Sequence, residues 1–251
     1  MPMKIFPYKR LCLSLLGTLS IGFWTSAGAA PSALSNAPGV STSNLLVLFE
    51  PPTDEKVDNS RGGASRPTDI KCMHDDTYGI PLTAVVPKSG VGLTVAPRPT
   101  LLAYVPSTTA TQAHLTLRDE AQNGLYQSSI EIPQDGGILR ITLPADSPEL
   151  AVGKTYSWSL ALLCQPTQTD LPITSGQIRR VEQPTDMVNV EQQSLYSQAI
   201  IYGQAGVWHD MLAIMATLRQ TEPGNNALSA NWAEVLQAED LDAIANTPLL
   251  N

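Results

Sequence analysis

Tyr156-Ser157-Trp158-Ser159-Leu160-Ala161-Leu162-Leu163-Cys164 alternates large apolar side chains with small ones. Successive side chains of an extended strand point to opposite faces. Tyr156, Trp158, Leu160, Leu162 and Cys164 therefore share one face, while Ala161 and Leu163 keep the other partly apolar. The pattern predicts a central strand, covered fully on one side and partly on the other.

Working outward, short apolar runs separated by Pro, Gly and Asp turns extend from Ile80 to Val181. The predicted strands are Leu82–Val86, Thr100–Val105, Ala113–Arg118, Leu125–Ile132, Ile138–Leu143, Tyr156–Cys164 and Gly176–Val181. Ala113, Leu115 and Leu117 mark one face of the third. Asn123-Gly124 and Asp135-Gly136-Gly137 are turn signals between strands. This spacing is that of a β-sandwich. Leu150 stands six residues before Tyr156 with Gly153 between them. That arrangement resembles the tyrosine corner of fibronectin-type and immunoglobulin-like sandwiches, in which the phenol hydroxyl bonds back to the backbone. The expected fold is mainly β: an immunoglobulin-like β-sandwich over 61–181, followed by a small C-terminal helical region.

After Val181 the hydrophobic period lengthens. Residues 182–191 read as a linker, and 192–205, 207–219, 227–238 and 239–246 as helices. Leu212, Met215, Ala216 and Leu218 supply one apolar face, and Trp232, Val235 and Leu236 another. The stretch from Tyr202 to Trp232 resembles a tetratricopeptide-like helical pair. A stable array of such pairs needs about three repeats, so a hairpin packed on the sandwich is expected over 192–251. Residues 30–60 read as a disordered leader rich in Pro, Ser and Asn. It carries one short apolar segment, Leu45 to Phe49, which is either a first strand docking on the sheet or a sticky linear segment.

Residues 1–29 have the three parts of a secretory signal peptide. Lys4, Lys9 and Arg10 form the basic region, Leu11 to Trp24 the apolar core, and Ala27-Gly28-Ala29 the cleavage site. The apolar run is shorter than the roughly 20 residues a membrane span needs, and no later stretch is long enough. The protein is therefore expected to be exported, to the periplasm or the cell surface, with no transmembrane segment after cleavage. The chain carries 15 Lys+Arg against 23 Asp+Glu. Losing the signal removes three basic residues and takes the net charge from −8 to near −11. So acidic a surface excludes nucleic acid as a partner, because binding it requires cationic neutralisation of phosphates.

Two cysteines remain beyond the signal, Cys72 and Cys164, and an oxidising compartment makes them a disulfide first. The alternative, a redox or metal site on Cys72-Met73-His74-Asp75-Asp76, lacks the recurrent spacing of a zinc site. His114 and His209 read as structural; His209 and Asp210 are adjacent on a helix and point apart, so they are no acid–base pair. Trp158, Trp208 and Trp232 read as core. Arg61-Gly62-Gly63-Ala64-Ser65-Arg66 is the only local basic cluster outside the signal. Its glycines let backbone N–H groups converge on an anion that Arg61, Ser65 and Arg66 would clamp. The competing reading is a flexible loop made soluble by arginine. No nucleotide, metal or catalytic motif is present, and no cofactor is expected.

Taken in order, R-G-G-A-S-R (61–66), Cys72, L-T-A-V-V-P (82–87), R-P-T-L-L-A-Y-V-P (98–106), V-G-K-T-Y-S-W (152–158), Y-G-Q-A-G-V-W-H-D-M-L-A (202–213) and W-A-E-V-L (232–236) resemble an exported cyanobacterial family, domain of unknown function 928. The resemblance spans roughly residues 45–250 and implies no activity. The functional expectation is a non-catalytic binding or adaptor module acting on another envelope protein. Two rivals stand beside it: an envelope hydrolase with a site assembled from His74, Asp75 and Ser65, and an accessory factor for secretion or assembly of another envelope protein.

Overall fold

The alternation along 156–162 is realised as a strand buried on one face, with Trp158, Leu160 and Leu162 at most 1% exposed and Ser157, Ser159 and Ala161 half-buried. The structure, a computed structural model, describes residues 46–52, 72, 79–164, 171–183, 187 and 189–250. These residues form two β-sheets of eight strands and three short helices toward the C-terminus. The strands are β1 (Thr83–Ala84), β2 (Val91–Thr94), β3 (Thr100–Val105), β4 (Gln112–Arg118), β5 (Gly124–Glu131), β6 (Gly137–Thr142), β7 (Thr155–Leu162) and β8 (Ile173–Arg180). The helices are α1 (Leu195–Gln204), α2 (Trp208–Thr221) and α3 (Asn226–Ala238).

One sheet has the order β1-β3-β6 and the other β2-β8-β7-β4-β5. All pairings are antiparallel except β2 with β8, which run parallel from Val91↔Gln177 to Thr94↔Arg180. The facing sides share one apolar layer. Leu101, Ala103 and Val105 of β3 meet Leu115, Leu117, Trp158 and Leu160 of the larger sheet in it. The tyrosine corner forms the predicted bond: the Ala151 N–H donates to the Tyr156 hydroxyl oxygen at 2.9 Å. Leu150 beside it is 1% exposed. β5 lies at an edge and is the least buried strand, and its Gln127, Ser128, Ser129 and Glu131 give that edge a polar character.

β3 is buried on both faces, which explains its unbroken apolar run Leu101 to Val105. Its second face, with Leu102 and Tyr104 beside Ile138 of β6, packs against Trp208, Met211, Leu212 and Met215 of α2. The helices therefore form a third layer over the three-stranded sheet. The Trp208 indole N–H donates to the Val85 carbonyl at 3.0 Å and pins this layer. Residues 182–191 contain Met187 and Val190, both buried in the same helical core. The predicted helix over 239–246 is a single 3-10 turn, Asp242–Ile244. β2 was not among the predicted strands.

The segment 46–52 docks on the helices and pairs with no strand among the described residues. Val47 is fully buried, while Leu46 and Leu48 are exposed. The Asn231 side chain takes the part of a neighbouring strand. Its Oδ1 accepts from Val47 N–H and its Nδ2 donates to Val47 O, both at 2.8 Å. Glu50 N–H donates to Gly203 O at 3.0 Å, and Phe49 meets the Trp208 ring edge-on at 4.7 Å between centroids. Gly203 is needed here because a Cβ would overlap the Leu48 carbonyl.

Candidate functional site

The first turn of α2, Trp208-His209-Asp210, faces the chain leaving β2. Asp210 lies in that turn, where a carboxylate suits the positive end of the helix dipole. The Thr94 hydroxyl donates to Asp210 Oδ2 at 2.7 Å and the Val95 N–H reaches the same oxygen at 3.3 Å. Thr94 is itself fully buried, and its Oγ1 accepts from the Ala96 N–H at 3.1 Å. The backbone N–H groups of Ala96 and of Asp210 itself also favour the ionised carboxylate. A cleft of about 180 Å³ opens beside it, lined by Arg98, Thr100, Gln198, Tyr202, His209 and Asp210. At about 30 Å³ per water molecule, it has room for one long side chain or a small ligand.

Burial sets the electrostatics. Asp210 lines the cleft, and burial pushes its pKa from 3.8 up to about 6 against opposing hydrogen bonds from Thr94, Val95, Ala96 and its own backbone. His209 is 1% exposed, and neither ring nitrogen makes a hydrogen bond of good geometry. Burial drives its pKa from 6.5 down to about 4, with only the Thr100 backbone opposing, so the imidazole is neutral at neutral pH. Its ring occupies space that Gly92 leaves open, since a Cβ on Gly92 would overlap His209. The Tyr202 hydroxyl is held in its protonated form by burial and then by the nearby Asp210 and Glu191 charges. Arg98 is fixed by Nε to Ser147 O at 3.0 Å and by Nη1 to Glu149 Oε1 at 2.9 Å. Above about pH 6 the site thus presents a buried carboxylate, a neutral imidazole and a phenol to whatever enters.

The residues singled out from sequence fall elsewhere. Cys72 and Cys164 are joined as a disulfide with Cα atoms 5.2 Å apart, within the usual range. The bridge closes a separation of 92 residues, which stabilises by about 4.6 kcal/mol in the chain-entropy model. Cys72 O also accepts from Thr109 N–H at 2.8 Å and from the Thr108 hydroxyl at 2.6 Å, anchoring that turn to the sheets. The anion-loop residues Arg61, Gly62, Gly63, Ser65 and Arg66 lie outside the described residues, as do His74, Asp75 and residues 1–45. His114 sits on β4 with Nδ1 at 3.3 Å from the Ser129 hydroxyl across the strand pair. Sequence reasoning set His209 and Asp210 aside as neighbours that point apart, and it passed over Tyr202, Thr94 and Arg98. The available signal for Arg98, Tyr202, His209 and Asp210 was their place inside R-P-T-L-L-A-Y-V-P and Y-G-Q-A-G-V-W-H-D-M-L-A, the stretches that carry the family resemblance; Thr94 lies outside both.

Comparison with known families gives the kinship. A model of Domain of Unknown Function (DUF928) matches residues 61–249. The chain belongs to the DUF928 family. The DUF928 match covers every strand and helix described above, and with them both halves of the cleft. No curated protein matches the chain. Among solved structures, the chain is similar to Parabacteroides merdae beta-glucuronidase, at 14% identity and a TM-score of 0.23. A structure of that enzyme with glycerol in its active site gives 15% identity and the same TM-score. In both, the similarity covers 41% of this chain and 13% of the enzyme.

Proposed function

We propose that this DUF928 protein is an exported, non-catalytic binding or adaptor module of the periplasm or cell surface. In this reading the Asp210 cleft engages a hydrogen-bond donor, best a protonated amine, from an envelope partner. The scaffold is read as an immunoglobulin-like sandwich buttressed by helices. Supporting that are the two sheets β1-β3-β6 and β2-β8-β7-β4-β5 and the Tyr156 corner bond. Supporting export are the signal-like residues 1–29 and the Cys72–Cys164 disulfide.

One observation carries the binding role. Asp210 is held at the wall of an open cleft where burial disfavours its charge, even though Thr94, Val95, Ala96 and its own backbone N–H favour the carboxylate. A carboxylate kept against stability is a mark of a functional position. An ammonium group entering the cleft would pair with the carboxylate and relieve that cost. The surplus of acidic residues in the chain would draw such a cation in.

Thermal melts at pH 7.5 and constant ionic strength test the reading, with N-acetyl-lysinamide and n-butylamine as probes and n-butanol as the uncharged control. The amines are expected to raise the melting temperature of the wild type and not of Asp210→Asn. No rise in the wild type, or an equal rise in the variant, contradicts the reading.

A further inference from the structure

We infer that the other end of α2 carries a second site of opposite charge, a receptor for a compact oxyanion, carboxylate or phosphate, centred on Arg219. α2 has Asp210 in its first turn and Arg219 in its last. At 1.5 Å of rise per residue the two lie about 13 Å apart along the helix, so the sites are separate.

The Arg219 guanidinium lies over the Trp232 ring, 4.9 Å from its centroid. Stacking covers one face of the cation, holds its plane still and leaves its edge N–H groups as the means of recognition. Its Nη1 is buried and has no hydrogen-bond partner. Beside it opens a cleft of about 280 Å³ lined by Arg219, Gln220, Pro223, Ser229 and Leu249. A second guanidinium comes in from β6, where Arg140 Nη1 donates to Gln220 Oε1. Burial lowers the pKa of both arginines, and no carboxylate opposes it. The acid nearest in sequence, Glu222, is turned away to the Tyr196 hydroxyl at 3.1 Å and the Asn225 Nδ2 at 2.8 Å.

Acids outnumber bases by 23 to 15 in this chain, yet among the described residues none pairs with Arg140 or Arg219. A half-desolvated guanidinium without a counter-charge is costly. A role at the helix C-terminus accounts for a cation in the last turn of α2. It does not account for a buried, unmatched N–H or for a second arginine bonded to Gln220 of the cleft lining. A carboxylate or phosphate does, because two of its oxygens match the guanidinium fork, and the Ser229 hydroxyl lines the same cleft as a further donor.

The test is titration calorimetry on the full chain at pH 7.5, comparing sodium phosphate, succinate and chloride at equal ionic strength. Phosphate or succinate is expected to bind where chloride does not, and the stronger of the two identifies the ligand class. Arg219→Lys keeps charge and stem but loses the fork, and should weaken binding roughly tenfold or more. Arg140→Lys, away from Trp232, should weaken it less, and Asp210→Asn should leave it unchanged. Binding no stronger than chloride by either anion overturns the inference. So does wild-type affinity in both arginine variants.

Discussion

Asp210 and His209 are neighbours in the chain with opposite pH behaviour. Asp210 has a folded-state pKa raised from 3.8 to about 6, so the folded form binds the extra proton and stability falls as pH climbs through that window. His209 has a folded-state pKa lowered from 6.5 to about 4, so its contribution is complete above the unfolded value and is lost as pH falls through the same range. The two slopes oppose one another between about pH 4 and 6 and partly cancel in the wild type. Asp210→Asn removes one of them while keeping an oxygen that accepts from Thr94. We predict that the variant matches the wild type near pH 4 and exceeds it by about 3 kcal/mol at pH 7.5, at about 1.4 kcal/mol per pKa unit. Urea unfolding at the two pH values measures this. A pH-independent difference would show that the Asp210 charge is not what burial disfavours.

At the scale of elements, legibility followed the number of covered faces. β7 is covered on one face and alternates, so it reads directly from Tyr156 to Leu162. β3 is covered on both faces and reads as a continuous apolar run. β2 escaped notice because it has only four residues, one of them Gly92, and takes its identity from parallel pairing with β8. That omission also hid half of the cleft, since Thr94 ends β2 and Arg98 follows it. The other half was hidden by geometry. Two adjacent residues of a helix point apart, but both can border one cleft that crosses the helix face, as His209 and Asp210 do with Ala213 and Ile214. The apolar segment at 46–49 illustrates a different limit: composition marks it as sticky and cannot say to what. Its partner is Asn231, whose single carboxamide satisfies both backbone groups of Val47. Asn231→Ala leaves that buried N–H and carbonyl unpaired, and we expect a loss of about 2–3 kcal/mol. Hydrogen exchange should show the Val47 and Glu50 amides losing protection. Unchanged protection would mean that the segment is held by its side chains alone.

For the whole molecule, the helices are a structural layer and not an appendage. Leu102, Tyr104 and Ile138 would face water without α2, and the C-terminal residues also close the sheet. Ile138 N–H donates to Pro248 O at 2.7 Å and Leu250 N–H to Ile138 O at 2.9 Å, pairing the outer edge of β6. A chain truncated after Val181 should therefore expose an apolar face and an open strand edge and aggregate. A soluble, cooperatively melting truncation product would show that the sheets stand alone. The same layer lines both clefts, Asp210 at one end of α2 and Arg219 at the other, so the proposed recognition and the stability of the sheets depend on one helix. Affinity capture from an envelope fraction, with immobilised wild type beside Asp210→Asn, tests the central claim most directly. The account predicts a partner that is retained by the wild type and lost from the variant, although the variant melts at the same temperature or higher. The same proteins on both baits, or none on either, would contradict it.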